Sequence, residues 1–429
     1  MRLWAPVLQA GLGLVLAAEL QAADVSLIKV KGAITPGTAT YISRAIQVAS
    51  TRHDECLIIE LDTPGGLLES TKDIVQSFYA SPIPIVVYVA PAGAWAGSAG
   101  CFITIAANVA AMAPSTSIGA AHPVSIGPGG TEKVDEVMKE KQENFYSSYI
   151  KSIAEQRGRN AEWAVSSVVK SQSVSATNAL ELNVIDLIAS DLPELLKQLD
   201  GREVNGKPLK TEGAKVQEIP MTGREHVLEL LSHPGVIFVV LLAVIYGLIA
   251  ELSNPGAILP GVVGAIALIL FLYMSSILPV NLAGLALIGL SVVLFILDVY
   301  APTHGVLTFG GIVAFFLGAL MLFNRADPGF HLSLAYIIPA TLLTAAFFIF
   351  IVGAGLRAQL LPAKTGKEAM IGRTAPALAR IDSQSGKVFI EGEYWNARSD
   401  TPIEAGETAE IVEIQGLTLK VKPKRTEKG

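Results

Sequence analysis

Leu57-Ile58-Ile59-Glu60-Leu61-Asp62-Thr63-Pro64-Gly65-Gly66-Leu67 runs a short apolar segment straight into a Pro-Gly-Gly turn. An apolar run of this length, stopped by a turn signal, reads as a strand buried inside a sheet. Val25 to Val30, Ile83 to Val89 and Val109 to Met112 are of the same kind. Between them, Thr40 to Ala49 places Ile42, Ala45, Ile46 and Ala49 at helical spacing. Strands alternating with helices from Asp24 to about Asp200 indicate an α/β domain.

The rest of the 429 residues divides by charge. Of 70 Asp, Glu, Lys and Arg residues, only Glu251, Asp298, Arg325 and Asp327 fall between Pro234 and Leu356. With a mean hydropathy of +0.49, this marks 234–356 as a membrane block between soluble parts. Turn residues cut it into about five candidate spans, 235–250, 257–274, 281–298, 306–323 and 334–355, each near the length a bilayer requires. Glu251-Leu-Ser-Asn-Pro255 is echoed 47 residues later by Asp298-Val-Tyr-Ala-Pro302, which suggests a duplicated hairpin. The two acids read either as interface residues or as an intramembrane polar site.

Residues 1–23, with Arg2, an apolar stretch and small residues at Ala22 and Ala23, have the order of a signal peptide. Residues 201–233 read as a polar linker over 201–221 followed by a juxtamembrane helix. Residues 365–429 turn polar, with period-two alternation around Gln415-Gly416, and fit a small β-barrel of the oligonucleotide/oligosaccharide-binding (OB) type. A net charge of -6 without a basic run excludes an electrostatic footprint for nucleic acid. The six histidines lie far apart, and Cys56 and Cys101 sit in apolar stretches and read as core packing. No metal and no cofactor is expected.

Two glycine-rich stretches carry chemistry. In the first, Gly65 and Gly66 leave backbone N–H groups uncovered, as an oxyanion needs and as an ordinary turn also does. In the second, Ala94-Trp95-Ala96-Gly97-Ser98-Ala99-Gly100-Cys101, a serine stands between small residues where a helix opens. That is the place of an uncrowded nucleophile or of a helix N-cap. Ala96 occupies the first glycine position of a Gly-x-Ser-x-Gly elbow, which argues against the α/β-hydrolase fold.

Taken with Ala113-Pro-Ser-Thr-Ser-Ile-Gly-Ala-Ala-His-Pro123, these stretches resemble the ClpP and signal-peptide-peptidase class of serine proteases. With the membrane block, its Glu-x-x-x-Pro-Gly and the β tail, the whole chain resembles the long NfeD-type membrane serine proteases. The resemblance implies a ClpP/crotonase-like spiral of βα units over 24–200. It also implies endoproteolysis of apolar segments in stomatin/prohibitin-like membrane partners, contact with membrane lipid, and a homo-oligomer. The domain order then puts the protease outside the inner membrane and the β tail in the cytosol.

The family's Ser-Lys pattern places its lysine about eight residues before a segment resembling Tyr149-Ile150-Lys151-Ser152, which selects Lys141. Lys139 is turned some 200° away on the same helix. His122, 24 residues after Ser98, is the alternative base, but the ClpP-like position for its orienting Asp holds Ser171. The expected site is therefore Ser98 and Lys141, with Gly66 and Ala99 as oxyanion donors and Gly65, Leu67 and Leu68 contacting substrate. The alternatives are a non-catalytic scaffold that organises membrane microdomains and, further off, a transporter using Glu251 and Asp298.

Overall fold

A computed structural model describes residues 24–123, 136–253, 258–278, 280–300, 303, 305–323, 332–360 and 370–424. The proposed signal peptide lies outside these residues. The chain falls into two compact units, residues 1–297 with 306–345, and residues 298–305 with 346–429.

The first unit opens with β1 (Asp24–Lys31), α1 (Pro36–Arg52), β2 (Leu57–Asp62), α2 (Leu68–Tyr79) and β3 (Ile85–Val89). It continues with β4 (Trp95–Gly97), α3 (Ala99–Ala106), β5 (Val109–Met112), β6 (Ser117–Gly119), α4 (Glu136–Gln156), α5 (Ala161–Val169), β7 (Ser173–Ser175), α6 (Ala176–Glu181), β8 (Leu187–Ile188) and α7 (Leu192–Leu199). A hairpin of β9 (Glu203–Val204) and β10 (Lys207–Pro208), then β11 (Lys215–Glu218) and α8 (Gly223–Leu231), lead to the membrane block.

The expected α/β architecture is present. Six parallel strands form one sheet in the order β11-β1-β2-β3-β5-β8. Its central strands are covered on both faces, and all five residues of β3 are buried. That is why they read as unbroken apolar runs rather than as alternation. α1 begins with Pro36 at its first position and a capping box between Thr35 and Thr38, which satisfies N–H groups that would otherwise lack partners.

The polar 201–221 stretch differs from the tether expected there. It supplies β9, β10 and β11, and β11 pairs with β1 at the sheet edge. Gly201, Gly206 and Gly213, each at φ 74°, make its turns. An edge strand faces water on one side, so β11 keeps a polar sequence and ties itself in through Lys29–Glu218 at 3.0 Å and Gln217 Nε2 to Asp24 Oδ2 at 2.9 Å.

The membrane block forms five apolar helices: α9 (Pro234–Ser253), α10 (Leu259–Ile277), α11 (Leu282–Tyr300), α12 (Val306–Met321) and α13 (Leu334–Leu360). Pro234–Glu251 and Leu259–Ile277 are long and apolar enough to cross a membrane by length and composition. The 47-residue echo is visible in the helices: α9 ends at Ser253 and α11 at Tyr300, while α10 starts at Leu259 and α12 at Val306. Gly247 and Gly264 let α9 and α10 touch backbone to backbone, and Gly284 and Gly318 do the same for α11 and α12. Glu251 Oε2 accepts from the Gly261 N–H in the first turn of α10 at 3.3 Å. This acid is thus a cap within its own hairpin, favoured by the positive end of that helix. Asp298 is buried and accepts from the Thr303 hydroxyl.

The second unit holds five strands, β12 (Thr374–Pro376), β13 (Lys387–Ile390), β14 (Glu393–Arg398), β15 (Thr408–Gln415) and β16 (Thr418–Pro423). Their order is β12-β15-β16-β14-β13, and a bridge from Ala377 to Val388 nearly closes the sheet. Gly416 at φ 65° makes the β15–β16 turn.

Candidate active site

Three short strands, β4, β6 and β7, form a second sheet, joined to the end of β2 by a bridge between Thr63 and Ala96. The site lies there, beyond the carboxyl ends of β2 and β3, where open parallel sheets leave room for ligands. β4 was not legible as a strand, because its three residues, Trp95, Ala96 and Gly97, carry no periodicity.

Ser98 stands between β4 and α3 with φ 48° and ψ -110°, a backbone state that costs a non-glycine residue about 1–3 kcal/mol. Its neighbours hold it there. The Ser98 N–H donates to Gly119 O at 3.0 Å, and the Gly97 N–H donates to Thr63 O at 3.0 Å. The serine makes no side-chain cap bond to its helix. A Cβ on Gly97 would lie 2.9 Å from Pro64 O, and one on Gly100 would lie 2.6 Å from Thr63 Cγ2. Both glycines flanking Ser98 and Ala99 are therefore required by close approach.

The Pro64-Gly65-Gly66 loop crosses directly over this turn. Gly65 has φ 135°, and a Cβ there would meet Ser98 Cβ at 2.8 Å. Gly65 O accepts from Ile34 N–H at 2.8 Å and Leu67 N–H donates to Ile34 O at 2.9 Å, so the Gly66 N–H between them is not used by that bridge. Ala99 is the first residue of α3, and its N–H has no carbonyl within the helix to bond.

A cavity of about 380 Å³ opens over Ser98, lined by Gly66, Leu67, Leu68, Ala99, His122 and Ser171 among others. Of the residues expected at the site in the two loops, Ser98, Gly66, Leu67, Leu68 and Ala99 line the cavity, whereas Gly65 does not line it and packs against Ser98. Phe102, Thr71, Trp95 and Tyr146 also line it, and sequence reading did not single them out as such. One signal was available for Phe102, which follows Ser98 by one helical turn and so shares its face. Burial, with Glu69 adding to it, lifts the Tyr146 phenol above its ordinary value, so the hydroxyl stays protonated near the cleft.

His122 and Ser171 both line the cavity. The His122 ring is held by a backbone group: Nδ1–H donates to Val168 O at 2.8 Å. Among the described residues, no carboxylate is hydrogen-bonded to it. Lys141 lies on α4, exposed, and does not line the cavity. It shares a helical stripe with Phe145 and Tyr149, four and eight residues on. That stripe is continuous with the cleft, since Phe145 stacks on Tyr149 at 6.3 Å and Tyr149 on Phe102 at 5.9 Å. The side chain of Lys139 lies outside the described residues. Cys56 and Cys101 are unpaired and buried, and burial pushes both thiols up to about 12, far from nucleophilic. Among the described residues, no group of His, Cys, Asp and Glu is placed to hold a metal ion.

Residues 24–201 match the NfeD1b N-terminal domain, 235–354 the NfeD integral membrane domain and 367–423 the NfeD-like C-terminal, partner-binding domain. The chain is 35% identical over 419 residues to a membrane-bound protease of Pyrococcus horikoshii, covering 94% of both. The chain belongs to the NfeD family. It is a membrane protein, and its relative of near-equal length is a named protease. It is also 28% identical over 321 residues to membrane protein NfeD1b of Bacillus subtilis, covering 71% of this chain and 68% of that one. Among solved structures it is similar to a 1510-N membrane-bound stomatin-specific protease, a variant with one lysine replaced by alanine, bound to a substrate peptide. The identity is 34%, the coverage 49% of this chain and 97% of that one, and the TM-score 0.44.

Proposed function

We propose that this NfeD protein is a membrane-anchored serine endopeptidase that cuts apolar segments of stomatin-like membrane partners. The observation that carries the reading is the Ser98 turn. A strained serine, uncommitted to its helix, faces a cavity beside two backbone N–H groups, those of Gly66 and Ala99. Catalysis by acyl transfer requires that combination of nucleophile and oxyanion donors.

In the mechanism, Ser98 Oγ attacks the peptide carbonyl carbon while neutral Lys141 Nζ takes the hydroxyl proton. The Gly66 and Ala99 N–H groups hold the tetrahedral oxyanion. Collapse breaks the C–N bond, and Lys141 returns the proton to the leaving amine. Water, giving a proton to Lys141, then attacks the ester carbonyl, the bond from that carbon to Ser98 Oγ breaks, Lys141 returns the proton to Ser98 Oγ, and the product leaves as the free acid. The peptide lies extended beside the Gly65-Gly66 loop, with its apolar side chains against Leu67, Leu68 and Phe102.

The finer architecture belongs to the same proposal. The βα units over 24–200 form a ClpP/crotonase-like spiral, all five apolar helices span the membrane, and the C-terminal sheet is an OB-type barrel. The protease domain faces outward, the barrel faces the cytosol, and the protein works as a homo-oligomer in contact with lipid.

The exposure of Lys141 is the one observation that favours the rival reading, a non-catalytic scaffold of stomatin-like microdomains. Labelling of the purified full-length protein with a fluorophosphonate separates the two. Labelling that vanishes in Ser98→Ala is the expected result, and an unlabelled wild type that cuts no peptide favours the scaffold.

A further inference from the structure

The α8 helix links the protease domain to the membrane block, and its two sides face different surroundings. Its inner side packs on α1. Arg44 makes a forked ion pair with Glu225 at 2.6 and 2.9 Å, and Gly37 lies so close that a Cβ there would meet Glu229 N at 2.8 Å. Glu225 is 2% exposed. Val227 and Leu230 point the other way, because three residues bring the helix back to one face and two carry it to the opposite one. They are 53% and 55% exposed. This apolar stripe ends four residues before Pro234 opens α9, which enters the matched integral membrane domain at residue 235.

A second contact places the cleft at the same level. Leu67, which forms a wall of the cavity, and Ala33, beside Ile34, which bridges to the Gly65-Gly66 loop, pack against the buried cluster of the helix bundle, as does Leu231 of α8. The oxyanion loop and the bundle thus share a hydrophobic contact. A cleft separated from the bundle by one leucine cannot stand far above the hydrocarbon boundary.

We propose that the Val227–Leu230 face of α8 lies in the headgroup layer of the bilayer, and that it holds the cleft at the membrane boundary. The substrate is then the stretch of a neighbouring membrane protein that leaves or re-enters that same leaflet, within a few residues of the lipid. Lipid is the occupant of the stripe because the stripe is continuous with α9, and a helix meeting a membrane at its end lays its apolar side on the interface. Arg224, in the first turn of α8, suits the phosphates of that layer. This inference rests on the proposed proteolysis and narrows its substrate.

The test uses the full-length protein in phosphatidylcholine/phosphatidylglycerol vesicles. One apolar cleavage sequence is offered as a free peptide and fused to a single membrane-spanning helix through Gly/Ser spacers of increasing length. The expected result is fastest cutting at the shortest spacers. In Val227→Glu/Leu230→Glu, free-peptide cutting should be unchanged while cutting of the short-spacer substrate falls about tenfold or more. Equal cutting at every spacer length, or no effect of the double substitution on the tethered substrate, overturns the inference while leaving the protease reading intact. A wild type that cuts neither form removes the protease reading itself. Free-peptide cutting by the variant reports that its site has folded.

Discussion

Gly65 and Ser98, 33 residues apart in sequence, touch so closely that a single methyl group on Gly65 would enter the serine's own Cβ at 2.8 Å. The loop carrying the Gly66 N–H therefore packs on Ser98 itself, and Gly65 reaches that position only with φ 135°. A displacement of either loop moves both parts of the site together.

Gly65→Ala should accordingly abolish most activity without unfolding the protein. The strain of a non-glycine residue at that φ costs about 1–3 kcal/mol, and a shift of Ser98 by about 1 Å costs about 100-fold in rate. Peptide cleavage and melting temperature, measured on the same preparation, check this. Wild-type kcat/KM in a stably folded Gly65→Ala would show that the contact does not set the site.

The choice of base can be read by ranking two variants. Lys141→Ala should lower kcat/KM by about 10²–10⁴, the usual contribution of a general base. His122→Ala should stay within about tenfold of wild type, since the ring is fixed by Val168 O and, among the described residues, has no carboxylate of the kind a triad uses. The reverse ranking would assign the proton transfer to His122.

Acid should weaken the seating of α8. Burial alone would raise the Glu225 carboxyl, but bonds from Arg44 and from the Thr222 backbone and hydroxyl outweigh it, and the net shift is downward. A group whose pKa is depressed on folding contributes stability above its unfolded value, here the ordinary 4.5, and loses it as pH falls through the folded value. The melting temperatures of wild type and Glu225→Gln should therefore differ near pH 7 and converge in acid, once the pH has fallen from 4.5 through the depressed folded value. A gap that persists in acid would mean that the pair contributes through packing rather than charge.

In the membrane block, Gly247→Val should destabilise the α9–α10 hairpin, since its Cβ would sit 2.8 Å from Gly264 Cα. Overpacking of this kind costs about 1–3 kcal/mol. Gly289→Ala, with no atom within 4 Å of the added carbon, serves as the matched control. Thermal stability in detergent should fall for the first and hold for the second, and equal behaviour of the two would refute glycine-mediated packing.

The sequence by itself carried the features that depend on near neighbours. Apolar runs such as Leu57 to Leu61 and Ile85 to Val89 announced buried parallel strands, since a strand covered on both faces cannot be polar. The scarcity of charge over 234–356 announced the membrane, because an ionisable group in lipid is costly wherever it sits. Gly97-Ser98-Ala99-Gly100 stood out because a crowded turn tolerates only small residues. Tertiary structure decided what those elements meet. The polar β11 joins β1 across about 190 residues, and an edge strand half-exposed to water carries no apolar pattern to reveal it. Tyr146 comes to Ser98 through the packing of α4 on α3, which no local period encodes. Glu251, ambiguous as a charge in a membrane, acquires a role only once α10 turns back and presents its free N–H groups. Leu67 looked like one more apolar residue after a turn. Only the folded chain makes it a wall of the cleft and a contact of the membrane bundle at once, because such contacts are set by the three-dimensional path of the backbone rather than by chain order.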